Sequence, residues 1–182
     1  MKLEPDRYEY YKKTLSDCLQ VATTLVRNYL SMLGAQTPQL ITLTNQLWEL
    51  SQRQRLVASV DRTAAVALLS ACHAAFQPIN HFIQNLHAKL AEIADHVADF
   101  EREFLALEGE PFQLESYADW HAWLFQTLDV LQTQTKYLEL HARSLAPSLV
   151  QSSTVKQFRE VLQLVKQYES NFCMGLARSI IL

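Results

Sequence analysis

Residues 79–107, INHFIQNLHAKLAEIADHVADFEREFLAL, decide how the chain is read. Leu86, Leu90, Ile93, Val97, Phe100, Phe104 and Leu107 recur at alternating intervals of four and three. That rhythm puts every one of them on a single face of an α-helix, whereas a strand changes face at each residue. The same rhythm appears upstream in Tyr11, Leu15, Cys18, Ala22, Leu25, Tyr29 and Met32, the seam expected of a first helix from about residue 6 to residue 33. Asp6 reads as its cap and Gly34 as its stop.

Punctuation sets the remaining boundaries. Thr37 followed by Pro38 reads as a cap and a first helical position, opening a helix with Leu40, Leu43, Leu47, Leu50 and Val57 along its seam and Trp48 on a flank. Asp61 either caps a further helix or lies within a continuing one, and Pro78 is expected to end or kink whatever precedes it. Glu108-Gly109-Glu110-Pro111 reads as a turn. Ser116 to Asp119 has the spacing of a capping box, opening a helix that Pro147 stops near Ala146. A last helix from Ser153 or Thr154 carries Phe158, Val161, Leu162, Val165, Phe172 and Leu176 inward.

Composition agrees with long helices and few turns. Only three glycines and five prolines occur in 182 residues, fewer than a turn-rich sheet fold uses. With 49% hydrophobic and 19% charged residues, the chain has the means to bury a core. The expected fold is all-α: an antiparallel up-down bundle of five to six long helices, one domain over residues 1–182. The segment 63–76, TAAVALLSACHAAF, is apolar on every side and is expected to be the central, most buried helix. At fourteen residues it is too short to span a bilayer, which takes about 20, so no membrane span is expected.

Several functional classes find no support in the residues. The net charge of −3 gives no drive toward nucleic acid, which is bound by neutralising phosphates. Arg7 to Lys13 mixes bases with tyrosines, but Glu4, Asp6 and Glu9 offset most of that charge. Cys18, Cys72 and Cys173 lack the paired spacing of a disulfide framework or zinc site, and they read as reduced thiols of a cytoplasmic protein. The charged start, MKLEPDRYEYYKK, lacks the apolar core of a signal peptide. Cys72 and His73 are adjacent on a helix and diverge by about 100°, so they do not form a nucleophile–base pair. No enzyme activity and no cofactor are expected.

Three features remain as candidates. Glu92, His96, Asp99 and Glu103, at intervals of four, three and four, share a stripe beside the core seam; a metal site uses such ligands, and so does a solvated flank. The di-iron Glu-x-x-His pair does not occur. Ala64, Ala67, Ala71 and Ala74 form a bare stripe that suits either close helix packing or an apolar groove, with His73, His81 and His87 as its nearest polar groups. Between Glu92 and Asp119 nine acidic residues face Arg102 alone, a local charge of −8 interleaved with aromatic residues. This acidic pole is expected to dock a basic protein partner through Glu101, Glu103, Glu108, Glu110, Phe112, Glu115 and Trp120. The leading expectation is therefore a non-enzymatic interaction module, a helical adaptor, chaperone-like protein or regulatory subunit that binds a protein partner or itself as a homodimer. The alternative is a ligand- or metal-binding bundle built on the alanine stripe or on the Glu/His/Asp stripe.

Overall fold

The protein is described by a computed structural model covering residues 5–106 and 115–163. Every element among the described residues is a helix: α1 (Pro5–Val57), α2 (Arg62–Leu105), α3 (Glu115–Arg143) and α4 (152–163). No strand occurs among them, and no helix is long and apolar enough to cross a membrane. There are four helices in this part of the chain, not five or six, because two expected breaks are absent. The expected turn at Glu108–Pro111 lies outside the described residues.

The first absent break is at Gly34 to Pro38. α1 runs 53 residues through both, and the buried positions show why. Leu15, Leu19, Ala22, Val26, Tyr29, Leu33, Thr37, Leu40, Thr44, Leu47 and Ser51 form one buried stripe at intervals of four and three, with two successive fours (Tyr29 to Leu33 to Thr37) around Gly34 that a continuous α-helix accommodates. Counting apolar residues alone loses that rhythm, since Thr37, Thr44 and Ser51 are polar. The fold accommodates two of them locally: the Thr37 hydroxyl donates to the Leu33 carbonyl at 2.8 Å, and Thr44 donates to that of Leu40 at 2.7 Å. Pro38 faces solvent. The carbonyl it leaves without an N–H partner is that of Gly34, which is also exposed and open to water. At its start α1 is already helical at Pro5, so Asp6 lies inside it and does not cap it.

Because Gly34 is helical, exposed and without any atom within 4 Å of the place a Cβ would take, Gly34→Ala should stabilise the protein. We expect a gain of about 0.5–1 kcal/mol in chemical denaturation. A loss of stability would instead mean that Gly34 terminates a helix.

The second absent break is at Pro78, inside the 44-residue α2. Ala65, Cys72, Ile79, Ile83, Leu86, Leu90, Ile93, Val97 and Phe100 carry the seam straight past it. Pro78 and the Ala74 carbonyl that it deprives of a donor are again on the exposed side. The break that does occur is at Asp61, whose carboxylate accepts from the Ala64 amide at 3.0 Å and caps α2. α1 and α2 thus form a hairpin closed by four residues.

α2 and α3 run antiparallel, with Glu101 opposite His121 at 3.9 Å and His87 opposite Glu139 at 3.1 Å. The Tyr29 phenol and the Thr135 hydroxyl, 2.8 Å apart and buried, tie α1 to α3. α3 stops at Arg143, before Pro147, and turns lead to Val150. The Arg55 guanidinium donates to the Val150 carbonyl and holds that connection against the end of α1. α4 then opens with Gln151 as its cap, the side chain of Thr154 reaching back to the Gln151 amide at 2.9 Å. Val155, Phe158 and Leu162 bring α4 into one connected core that starts at Leu15.

The segment 63–76 is not the central helix. Only Ala65 and Cys72 are buried there, while Val66 is 61% and Leu69 37% exposed. Geometry explains the placement. His87 pairs with Glu139, and α3 continues only one turn to Arg143, so it ends opposite about residue 83 of α2. The first five turns of α2 extend beyond its reach. Being apolar on every side also means less here than it would for leucines, because six of the fourteen residues are alanines, which expose little apolar area.

Candidate functional site

Three places follow from this architecture: the pole where α2 meets α3, the free end of the α1–α2 hairpin, and a groove between α3 and α4.

At the pole the aromatic residues are mainly internal. The His121 ring stacks on Phe104 with centroids 5.0 Å apart and 17° between planes, and on Phe100 at 6.4 Å and 24°. Phe125 meets its other side at 4.7 Å. Trp120, expected as an anchor for a partner, is 7% exposed and packs edge-on against Trp123 at 5.6 Å. It belongs to the core; among the described residues Phe125 is the exposed aromatic side chain of this end. Glu101 is half-buried beside His121, and Glu103 is half-buried on the side of α2 that meets Cys18 of α1. Glu108, Glu110 and Phe112 lie outside the described residues, as does the side chain of Glu115, whose backbone opens α3.

In the Glu92, His96, Asp99, Glu103 stripe two of the three acids have basic neighbours on their own helix. Glu92 is exposed and bonded to Lys89 at 2.8 Å; Asp99 pairs with Arg102 at 2.9 Å. Among the described residues no three His, Cys, Asp or Glu side chains come close enough to hold a metal ion. The Cys18 thiol is pushed up from its ordinary pKa by burial first and by Glu103, Asp99 and Asp17 next. Cys72 is pushed up by burial. Both therefore hold their protons and are poor nucleophiles.

The hairpin end has the opposite character. Leu56 and Val60, at 76% and 86% exposure, end the first leg, and Val66 and Leu69 begin the second. Leu149, next to the Val150 that Arg55 holds, adds a fifth exposed apolar side chain at this end. The alanine stripe shares the region: Ala64 and Ala71 are half-buried, Ala67 and Ala74 exposed. His73 and His81 point to solvent, whereas His87 is engaged by Glu139. Of the four alanines, Ala74 borders a shallow open depression beside Pro78.

The groove was not anticipated from sequence. Val130, Thr133, Gln134, Tyr137 and His141 line it from one stripe of α3, and Val161 closes it from α4, around about 410 Å³. Gln134 is nine-tenths buried, and neither its amide nitrogen nor its amide oxygen has a hydrogen-bond partner among the described residues. A signal was available: Leu124, Thr127, Leu131, Gln134 and Leu138 keep the heptad rhythm, so Gln134 is a polar residue at a core position.

Compared with protein-family models, with curated proteins and with solved structures, the chain matches none.

Proposed function

We propose that the protein is a non-enzymatic interaction module, a single antiparallel up-down bundle that associates with a second copy of itself through the free end of the α1–α2 hairpin. The observation carrying this reading is the exposure of Leu56, Val60, Val66 and Leu69 together at one end of the molecule. Large apolar side chains left exposed at one end of a molecule suit a contact surface. Among the described residues the hairpin end is also free of the ion pairs that edge the rest of α2. A two-fold contact brings each of these side chains to the interface twice, doubling what it contributes. The raised thiol pKa values of Cys18 and Cys72 agree with a role that needs no nucleophile. The acidic pole remains the surface for a basic partner, through Glu101 and Glu103 with the acidic residues that follow them.

Sedimentation of the full chain over a range of concentrations tests the reading. The wild-type protein is expected to form a dimer, and the double variant Val66→Glu/Leu69→Glu to sediment as a monomer with unchanged helix content. Removing four apolar side chains from a symmetric interface should weaken it on the order of a hundredfold or more. A wild-type chain that stays monomeric at every concentration, or a double variant that still dimerises, would reject self-association through this end.

A further inference from the structure

We propose that the second copy lies antiparallel along the outer face of α2, with Arg62 and Val66 of each chain set against Asp95 and Ala91 of the other. The pairing rests on the self-association proposed above and gives it a direction and a register. Between Arg62 and Asp95 an exposed stripe of α2 advances at intervals of four, three, four, four, three, four, four, three and four. Helical geometry keeps those positions within an arc about 100° wide, turned away from the buried seam of Cys72, Ile79, Leu86 and Ile93. The intervals read the same from either end, with their midpoint between Gln77 and Asn80. Turned end for end, the stripe therefore meets its own copy position by position.

The side chains at those positions complement one another as well. Arg62 and Asp95 carry the charges of the stripe, one at each end. Antiparallel pairing brings opposite charges together at both ends, whereas parallel pairing would set like against like. One step inward, Val66 falls on Ala91 and Leu69 on Ala88, so the large apolar side chains of the hairpin end meet the small ones of the far half. In the middle His73 falls on Gln84 and Gln77 on Asn80, and each amide there can both donate and accept. From Thr63 to Ala88 α2 has no charged side chain, so closing the contact strips no ion of its water. Lys89 and Glu92 lie beside the stripe and bond to each other at 2.8 Å. A partner of another kind would not call for a pattern symmetric about its own centre; a second copy does.

Charge reversal tests the pairing, read by sedimentation of the full chain. Arg62 and Asp95 are both exposed, so reversing either should leave helix content unchanged. Arg62→Glu and Asp95→Arg are each expected to raise the dimer dissociation constant about tenfold, because each turns two attractions per dimer into repulsions. The double variant Arg62→Glu/Asp95→Arg should return to within about threefold of wild type, and the deficits of the single variants should shrink at high salt. Ala88→Arg, which sets a bulky charge against Leu69 of the other copy, should weaken the dimer at least about tenfold. Additive losses in the double variant, or dimers indifferent to Asp95→Arg and Ala88→Arg, would overturn the pairing. If such dimers still came apart with Val66→Glu/Leu69→Glu, self-association through the hairpin end would stand and only its direction and register would fall. A wild-type chain that stays monomeric would remove both.

Discussion

Phe100→Ala is expected to cost about 3–5 kcal/mol of stability, the largest loss from any single truncation at the α2–α3 end. Phe100 is wholly buried. Its ring lies almost parallel to Phe104, with centroids 6.3 Å apart, and stacks on His121 from the neighbouring helix. Truncation therefore removes the apolar transfer term, leaves a cavity that two rigid rings cannot close, and deletes an aromatic contact between helices. A domain of this size holds only about 5–15 kcal/mol in all. The melting temperature should fall by about 6–20 °C. Phe125→Ala makes the control, since Phe125 touches the same His121 from the exposed side and should cost about 1 kcal/mol or less. If Phe100→Ala proved as mild as its control, α2 and α3 would not be packed as described.

Pro38→Ala and Pro78→Ala are expected to move stability the other way. In a helix interior proline is less favourable than alanine by about 3 kcal/mol, because it lacks the N–H and crowds the carbonyl four residues back. Alanine at either site restores a bond to the carbonyl of Gly34 or Ala74. Against this, proline stiffens the unfolded chain, a contribution of about 0.4–1 kcal/mol that the substitution forfeits. A net gain of about 2 kcal/mol per site follows, read as a raised denaturation midpoint with an unchanged slope. A substitution that lowered the midpoint would show that the helix ends at that residue.

These two prolines also show where the sequence is legible and where it is not. Helical character follows from the four-and-three spacing of apolar residues, which is why the seam from Leu86 to Phe104 is found where its periodicity puts it. Asp61, one of two readings from sequence alone, does cap α2. Gly34, Pro38 and Pro78 mislead because their strong local preferences give way to a buried stripe that runs straight through them. In α1 that stripe includes polar members, Thr37 and Thr44, whose hydroxyls bond to their own helix. The position of 63–76 was illegible for a different reason. Burial of a segment depends on how far the neighbouring helix extends, and nothing within those fourteen residues reports that α3 ends at Arg143. At the pole, Trp120 and Phe125 look alike in sequence, and only the rotation of α3 makes one core and the other surface. Gln134 was visible as a polar residue in the seam; its missing partners were not.

The two prolines have a mechanical consequence too. Pro38 lies about 28 Å from the end of α1 at Val57, and Pro78 about 24 Å from the start of α2 at Arg62. On a hairpin closed by four residues, those heights differ by less than one helical turn. Each leg therefore lacks one rung of its hydrogen-bond ladder in nearly the same cross-section, and on the outer side in both cases. A bend of the hairpin costs least at that level. The Arg55 bond to the Val150 carbonyl braces the stretch beyond the notches against it, and α3 clasps α2 from His87 to Glu101 on the other side.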